Sequence, residues 1–134
     1  EPPHLGRMSN YHNLKAWQHA RRLAVESARA ARQLPRHEQS VLGTQLRQAA
    51  YSVAAKIAAG SVSAGSARLA AFDAARRSLA EIETILSVAH DLEYLPTADY
   101  ARLEAWCVEA TKTLCGLDRK LRANGASARP NPAQ

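Results

Sequence analysis

Apolar residues recur every three or four positions along four stretches of this sequence, and no stretch of useful length alternates apolar with polar residues. The first pattern winds a single apolar stripe along an α-helix, whereas a half-buried strand needs the second. An all-α fold follows. Aromatic residues supply only 5% of the 134 residues while 46% are apolar. The core must therefore be built from Leu, Ile, Val and much Ala, and alanine lets neighbouring helices approach closely. A chain of this length holds one domain with one core.

The first stripe is Leu14, Trp17, Ala20, Ala24, Val25, Ala28 and Ala31, with Asn13 as its N-cap and Leu34-Pro35 as its stop. Its opposite face carries Lys15, Gln18, His19, Arg22, Glu26, Arg29 and Gln33, flanked by Arg21 and Arg32. The second helix, about 38–60, is striped by Leu42, Leu46, Ala49, Ala50, Val53 and Ile57, and Gly60 stands where a C-cap glycine belongs. A small polar connector over 61–66 leads to a third helix of about 66–94, striped by Phe72, Ala75, Leu79, Ile82, Leu86 and Ala89. Pro96 breaks the chain, and Thr97 caps a fourth helix running to about Ala123. That helix buries Leu103, Trp106, Cys107, Ala110, Leu114, Leu117 and Leu121.

Four helices joined by short turns specify an antiparallel up-and-down four-helix bundle over residues 10–123. Residues 1–9 are expected to be a disordered N-terminal segment or an expression remnant. Residues 124–134, with Gly125, Pro130 and Pro132, are expected to be a disordered tail. Ala54, Ala55, Ala58 and Ala59, with Ala70, Ala71 and Ala74, lie partly off the stripes and predict a second close-packing surface, hence self-association.

Eighteen Lys and Arg against twelve Asp and Glu give a net charge of +6. Residues 1–60 hold nine basic and three acidic residues, and residues 61–134 hold nine of each, so the first part carries the whole surplus. Lys15, Arg21, Arg22, Arg29 and Arg32 on the first helix, with Arg36 in the turn after it, are the predicted contacts to RNA or DNA phosphates. The alternative is a protein-interaction scaffold whose basic face docks an acidic partner. Trp17 and Trp106 lie on apolar stripes and read as core anchors rather than platforms for bases.

No catalytic residue, metal or cofactor is assigned. Arg32 and His37 match the Arg-x4-His pattern of metal-independent ribonucleases built on HEPN helical bundles, but a proline turn separates them, which makes ribonuclease a third reading. No Glu-x-x-His pair of the kind that holds two metals in a bundle occurs. Cys107 falls in the stripe and Cys115 toward its edge, roughly 12 Å along one helix, too far for a mutual disulfide. Free thiols point to a reducing, cytoplasmic location. No apolar run is long enough for a membrane span, and no signal-peptide pattern opens the chain.

Three blocks carry a family resemblance: Asn10-Tyr11-His12-Asn13-Leu14-Lys15-Ala16-Trp17-Gln18, then Gln45-Leu46-Arg47-Gln48-Ala49-Ala50-Tyr51-Ser52-Val53, then Ser78-Leu79-Ala80-Glu81-Ile82-Glu83-Thr84. With the Leu92-Glu93-Tyr94-Leu95 turn, they resemble the bacterial four-helix-bundle proteins first noticed as reading frames inside intervening sequences of 23S ribosomal RNA genes. The likeness spans about 10–122. It implies a homopentamer, no enzymatic activity, and kinship with the accessory protein of diversity-generating retroelements, a basic pentamer that binds a reverse transcriptase and nucleic acid. The run Ser52-Val53-Ala54-Ala55-Lys56-Ile57-Ala58-Ala59-Gly60 departs from the family pattern, with Lys56 and Ala59 replacing an amide and an acid. Arg47 lies near the stripe of the second helix and Glu81 and Glu83 near that of the third, so an inter-helix Arg–carboxylate network is expected. Ser52 and Ser78 read as small polar residues at packed faces.

Overall fold

A computed structural model describes residues 10–128, all of whose regular elements are helical. The four α-helices are α1 (Lys15–Ala31), α2 (Leu42–Ser61), α3 (Gly65–Asp91) and α4 (Thr97–Ala128). Short 3-10 turns at Asn10–Asn13 and Arg36–Glu38 precede α1 and α2. There is no strand among the described residues, and no helix there is long and apolar enough to cross a membrane. The expectations for 1–9 and for 129–134 lie outside the described residues.

Helices adjacent in sequence pack on one another, and α4 also packs on α1, the ring of contacts expected of a four-helix bundle. Its centre is Leu23, Val53, Ile57, Phe72, Ile82, Leu86, Leu103 and Leu114, all buried. The described end of α4 is Ala128, beyond the expected end near Ala123.

Several local expectations change. On α1 the buried arc is Ala16, Ala20, Leu23, Ala24, Ser27, Ala30 and Ala31, whereas Val25 is 36% exposed. The helix touches both α2 and α4, which rotates its buried arc toward Leu23. Asn13 sits inside a 3-10 turn, so the α1 N-cap is Leu14, with no side-chain cap bond. The second helix starts at Leu42 rather than near Glu38, because the chain first closes the Arg36–Glu38 turn. Gln39 fixes that connector, its amide donating to the carbonyls of Arg32 (3.2 Å) and Leu34 (2.7 Å).

Gly60 is not a cap. It lies within α2, buried, with the Phe72 ring packed where a β-carbon would stand. Left-handed backbone occurs instead at Gly65, φ 59°, where α3 begins, and at Glu93, φ 63°, just beyond the end of α3. Around it the amide of Tyr94 donates to Ala89 O and that of Glu93 to His90 O, both at 2.9 Å, the paired bonds of a Schellman motif. Glycine usually occupies that position, since a Cβ there is disfavoured.

The two thiols differ sharply in setting. Cys107 is fully buried, and burial, with Glu83 and Glu104 nearby, pushes its pKa up to about 12. Cys115 is exposed. The folded chain should therefore react with one equivalent of a thiol-titrating disulfide reagent, and with a second only after denaturation. Rapid reaction of both thiols in the native protein would contradict this packing.

Candidate nucleic-acid interface

The structure divides the cationic surface of α1 in two. Arg22 and Arg29 turn toward Glu26, at 3.3 and 3.4 Å, and Arg102 reaches the same carboxylate from α4 at 2.8 Å. Arg22 also lies over the Trp106 ring, 5.4 Å from its centroid. Glu26, expected on the solvent face, is only 6% exposed. The reason is Arg102: a carboxylate can be buried between α1 and α4 because guanidiniums meet it there. Lys15, Arg21, Arg32 and Arg36 are exposed, and none has a carboxylate within 4.0 Å among the described residues.

The hydrogen bond from Arg102 holds the Glu26 carboxyl below its ordinary pKa; burial opposes this, and the charges of Arg102, Arg29 and Arg22 add to the lowering. A depressed folded-state pKa contributes stability that is present above the unfolded value and lost as pH falls through the folded one. Arg102→Met should therefore be less stable than the parent at neutral pH, with the difference shrinking below about pH 4 as the carboxylate is protonated in both proteins. Urea unfolding at pH 7 and at pH 3 checks it; a difference that persists unchanged in acid would remove Glu26 from the explanation.

Arg21, Arg29 and Arg32 share an α1 face with Ala24, Val25 and Ala28, and together with Tyr51 and Ala54 of α2 they line an open groove of about 570 Å³. Helical spacing explains the grouping, since positions 21, 25, 28, 29 and 32 return to one side of a 3.6-residue turn. The groove has cationic rims and an apolar floor, and Tyr51 is 52% exposed within it. Sequence reasoning missed this use of Tyr51. Its signal was an aromatic residue off the α2 stripe, directly after the buried Ala50 and two residues before the buried Val53.

The groove between α3 and α4 has the opposite character, lined by Glu83, Ser87, Val88, Tyr100, Glu104 and Val108. Of these two grooves the α1–α2 one is the cationic one, which favours approach of an anion there.

The expected pairing of Arg47 with Glu81 or Glu83 does not occur among the described residues. Arg47 instead donates to Gln39 O (3.3 Å) and Thr44 Oγ1 (3.4 Å), bracing the connector into α2, and Glu81 and Glu83 are exposed. Ile82 and Ile85 take the buried positions beside them on α3, and Glu81 lines an open groove with Gln45 of α2. Besides Arg102 with Glu26, the inter-helix pair is Arg76 of α3 with Asp118 of α4, which Arg122 also contacts at 3.0 Å. Burial pushes the Asp118 carboxyl up, and the hydrogen bonds from Arg76 and Arg122 outweigh it and hold the pKa below its ordinary value. Ser78 does meet Ser52, its hydroxyl donating at 3.2 Å across α2 and α3.

The Arg-x4-His pair is drawn into separate contacts. Arg32 lines the groove, while His37 Nε2 lies 3.3 Å from the Tyr94 hydroxyl, tying the α1–α2 connector to the turn after α3. Among the described residues no three His, Cys, Asp or Glu side chains gather as a metal site would require.

Residues 12–116 match the family described as 23S rRNA-intervening sequence protein. The chain belongs to that family. The matched span begins in the turn before α1 and ends within α4, so the family pattern takes in both the basic groove and the Glu26 network of this 23S rRNA-intervening sequence family member. Among curated proteins, none matches the chain.

Proposed function

We propose that this protein is a non-enzymatic, cytoplasmic RNA- or DNA-binding protein that acts through the cationic surface of α1, as an accessory to a reverse transcriptase or another nucleic-acid enzyme. The observation that carries the reading is the set of cations Lys15, Arg21, Arg32 and Arg36, exposed along α1 and its following turn without a carboxylate within 4.0 Å among the described residues. Arg29 adds to it from the rim of the groove. Such a surface attracts a phosphate backbone and positions it without reading bases. Arg22 belongs to the same surface but serves chiefly to neutralise Glu26.

The bundle is antiparallel and up-and-down in this reading. Contacts between helices support it, because residue numbers rise on one helix as they fall on its neighbour: Glu26 meets Arg102 while Arg22 meets Trp106, and Arg76 meets Asp118 while His90 meets Thr97. Five copies form the working unit. Exposed Ala55, Ala59, Val62, Leu69 and Ala70 on α2, α3 and their connector supply small apolar surface for a neighbouring copy. Five chains of +6 carry about +30, which strengthens attraction to a polyanion.

Light scattering tests the assembly, with five times the chain mass expected and a monomer overturning it. Gel shift with Arg21→Glu/Arg32→Glu tests the surface: loss of binding at unchanged mass supports it, and unaffected binding sinks it. The reading that an acidic protein docks here instead is favoured only by the apolar floor of the groove, Val25 and Ala54.

A further inference from the structure

Resting on the nucleic-acid reading above, we infer that the α1–α2 groove is a single-strand site in which Tyr51 stacks on an unpaired base while Arg21, Arg29 and Arg32 hold the flanking phosphates. Tyr51 is the groove's only aromatic lining residue, it is half exposed, and it faces the arginine rim across an apolar floor of Ala24, Val25, Ala28 and Ala54. Burial does not explain Tyr51, since the α2 core positions on either side of it are Ala50 and Val53. Its hydroxyl makes no hydrogen bond among the described residues, in contrast to Tyr100 on Glu104 and Tyr94 on His37.

Three physical points select the ligand. An aromatic face beside guanidiniums is the combination that single-strand binders use, stacking for bases and cations for the backbone. In a duplex the base faces are stacked on one another, so Tyr51 could reach them only by unstacking the helix. From Arg21 to Arg32 the rim runs about 16 Å along α1, less than half of the roughly 34 Å duplex turn, and so fits a short single-stranded stretch. The three cations are spaced unevenly, Arg29 and Arg32 adjacent on the face and Arg21 two turns away, which leaves an opening beside Ala24, Val25 and Ala28 where a base can enter.

The test uses the full chain and fluorescence anisotropy with four labelled probes of one sequence: single-stranded RNA, single-stranded DNA, their duplex, and a single strand with abasic positions. The parent should bind either single strand more tightly than the duplex, and abasic positions should weaken it. Tyr51→Ala should lose about ten-fold or more on the intact single strand, lose little on the duplex, and lose nothing further on the abasic probe. Tyr51→Phe should keep the parent's affinity. Circular dichroism confirms that the variants are folded, as expected for an exposed position. Equal affinity of parent and Tyr51→Ala for intact and abasic strands, with binding retained, overturns base stacking and leaves phosphate binding standing. No binding to any probe, with capture of a polyglutamate chain instead, overturns both.

Discussion

Phe72→Ala is expected to lower the unfolding free energy of this chain by about 3–5 kcal/mol, the cost of leaving a large cavity in a tightly filled core. Phe72 is the one phenylalanine in the sequence and is completely buried. Its ring lies against the bare backbone of α2 at Gly60, where an added Cβ would stand 2.6 Å from the ring Cδ1. Gly60→Ala should therefore also destabilise, by about 1–3 kcal/mol through overpacking, although alanine is the better helix former. The two effects are coupled. Gly60→Ala combined with Phe72→Leu should cost less than the sum of the single changes, because the smaller side chain vacates the overlap. Urea unfolding at one fixed protein concentration measures Phe72→Ala, Gly60→Ala, Phe72→Leu and the double variant alike, since association would make stability depend on concentration. A neutral Gly60→Ala would mean that α2 and α3 do not meet at this point.

The second large effect concerns the charged rim. Reversing Arg21 and Arg32 together should weaken binding of single-stranded RNA by about 100-fold at low salt, taking each charge-assisted contact at about 1.5 kcal/mol or more. It should also flatten the dependence of log K on log salt by about 1.4, the counterion contribution of two single-strand phosphate contacts. Arg119→Glu/Lys120→Glu on exposed α4 positions removes the same formal charge elsewhere. That control separates a located surface from net charge: near-parental binding by the control is expected, and equal loss in both variants would reduce the interaction to diffuse attraction.

Much of the fold was legible because it depends on period. Leu46, Val53, Ile57, Phe72, Ile82 and Leu103 occur at helical spacing and are buried as expected, and the family resemblance carried by the three blocks is borne out over residues 12–116. What was not legible depends on partners distant in sequence. Glu26 looks like a surface residue until Arg102, 76 residues later, is placed beside it. Gly60 looks like a helix cap until Phe72 is set against it, and periodicity alone cannot rank Leu23 above Val25 when α1 contacts two neighbours. Arg47, Glu81 and Glu83 had suitable charges and approximate positions, but Arg47 is taken up by Gln39 and Thr44, and Ile82 and Ile85 fill the buried positions of α3 and leave both carboxylates exposed.

The candidate site shows the same division. Composition and charge distribution located the basic surface on the first helix, but they could not show that Arg22 and Arg29 share a buried carboxylate while Arg21 and Arg32 remain without one among the described residues. Nor could they bring Tyr51 of α2 to the edge of that surface, because its position relative to α1 is set by helix packing rather than by local sequence.

The central claim, that α1 presents a phosphate-binding surface, is tested most directly by measuring affinity for a labelled single-stranded RNA across a salt titration, with light scattering on the same sample. The account predicts binding at low salt that weakens linearly in log K against log salt, with a slope of at least about −2 from three or more phosphate contacts. Absence of binding at low salt from protein that is folded and of defined mass would contradict it.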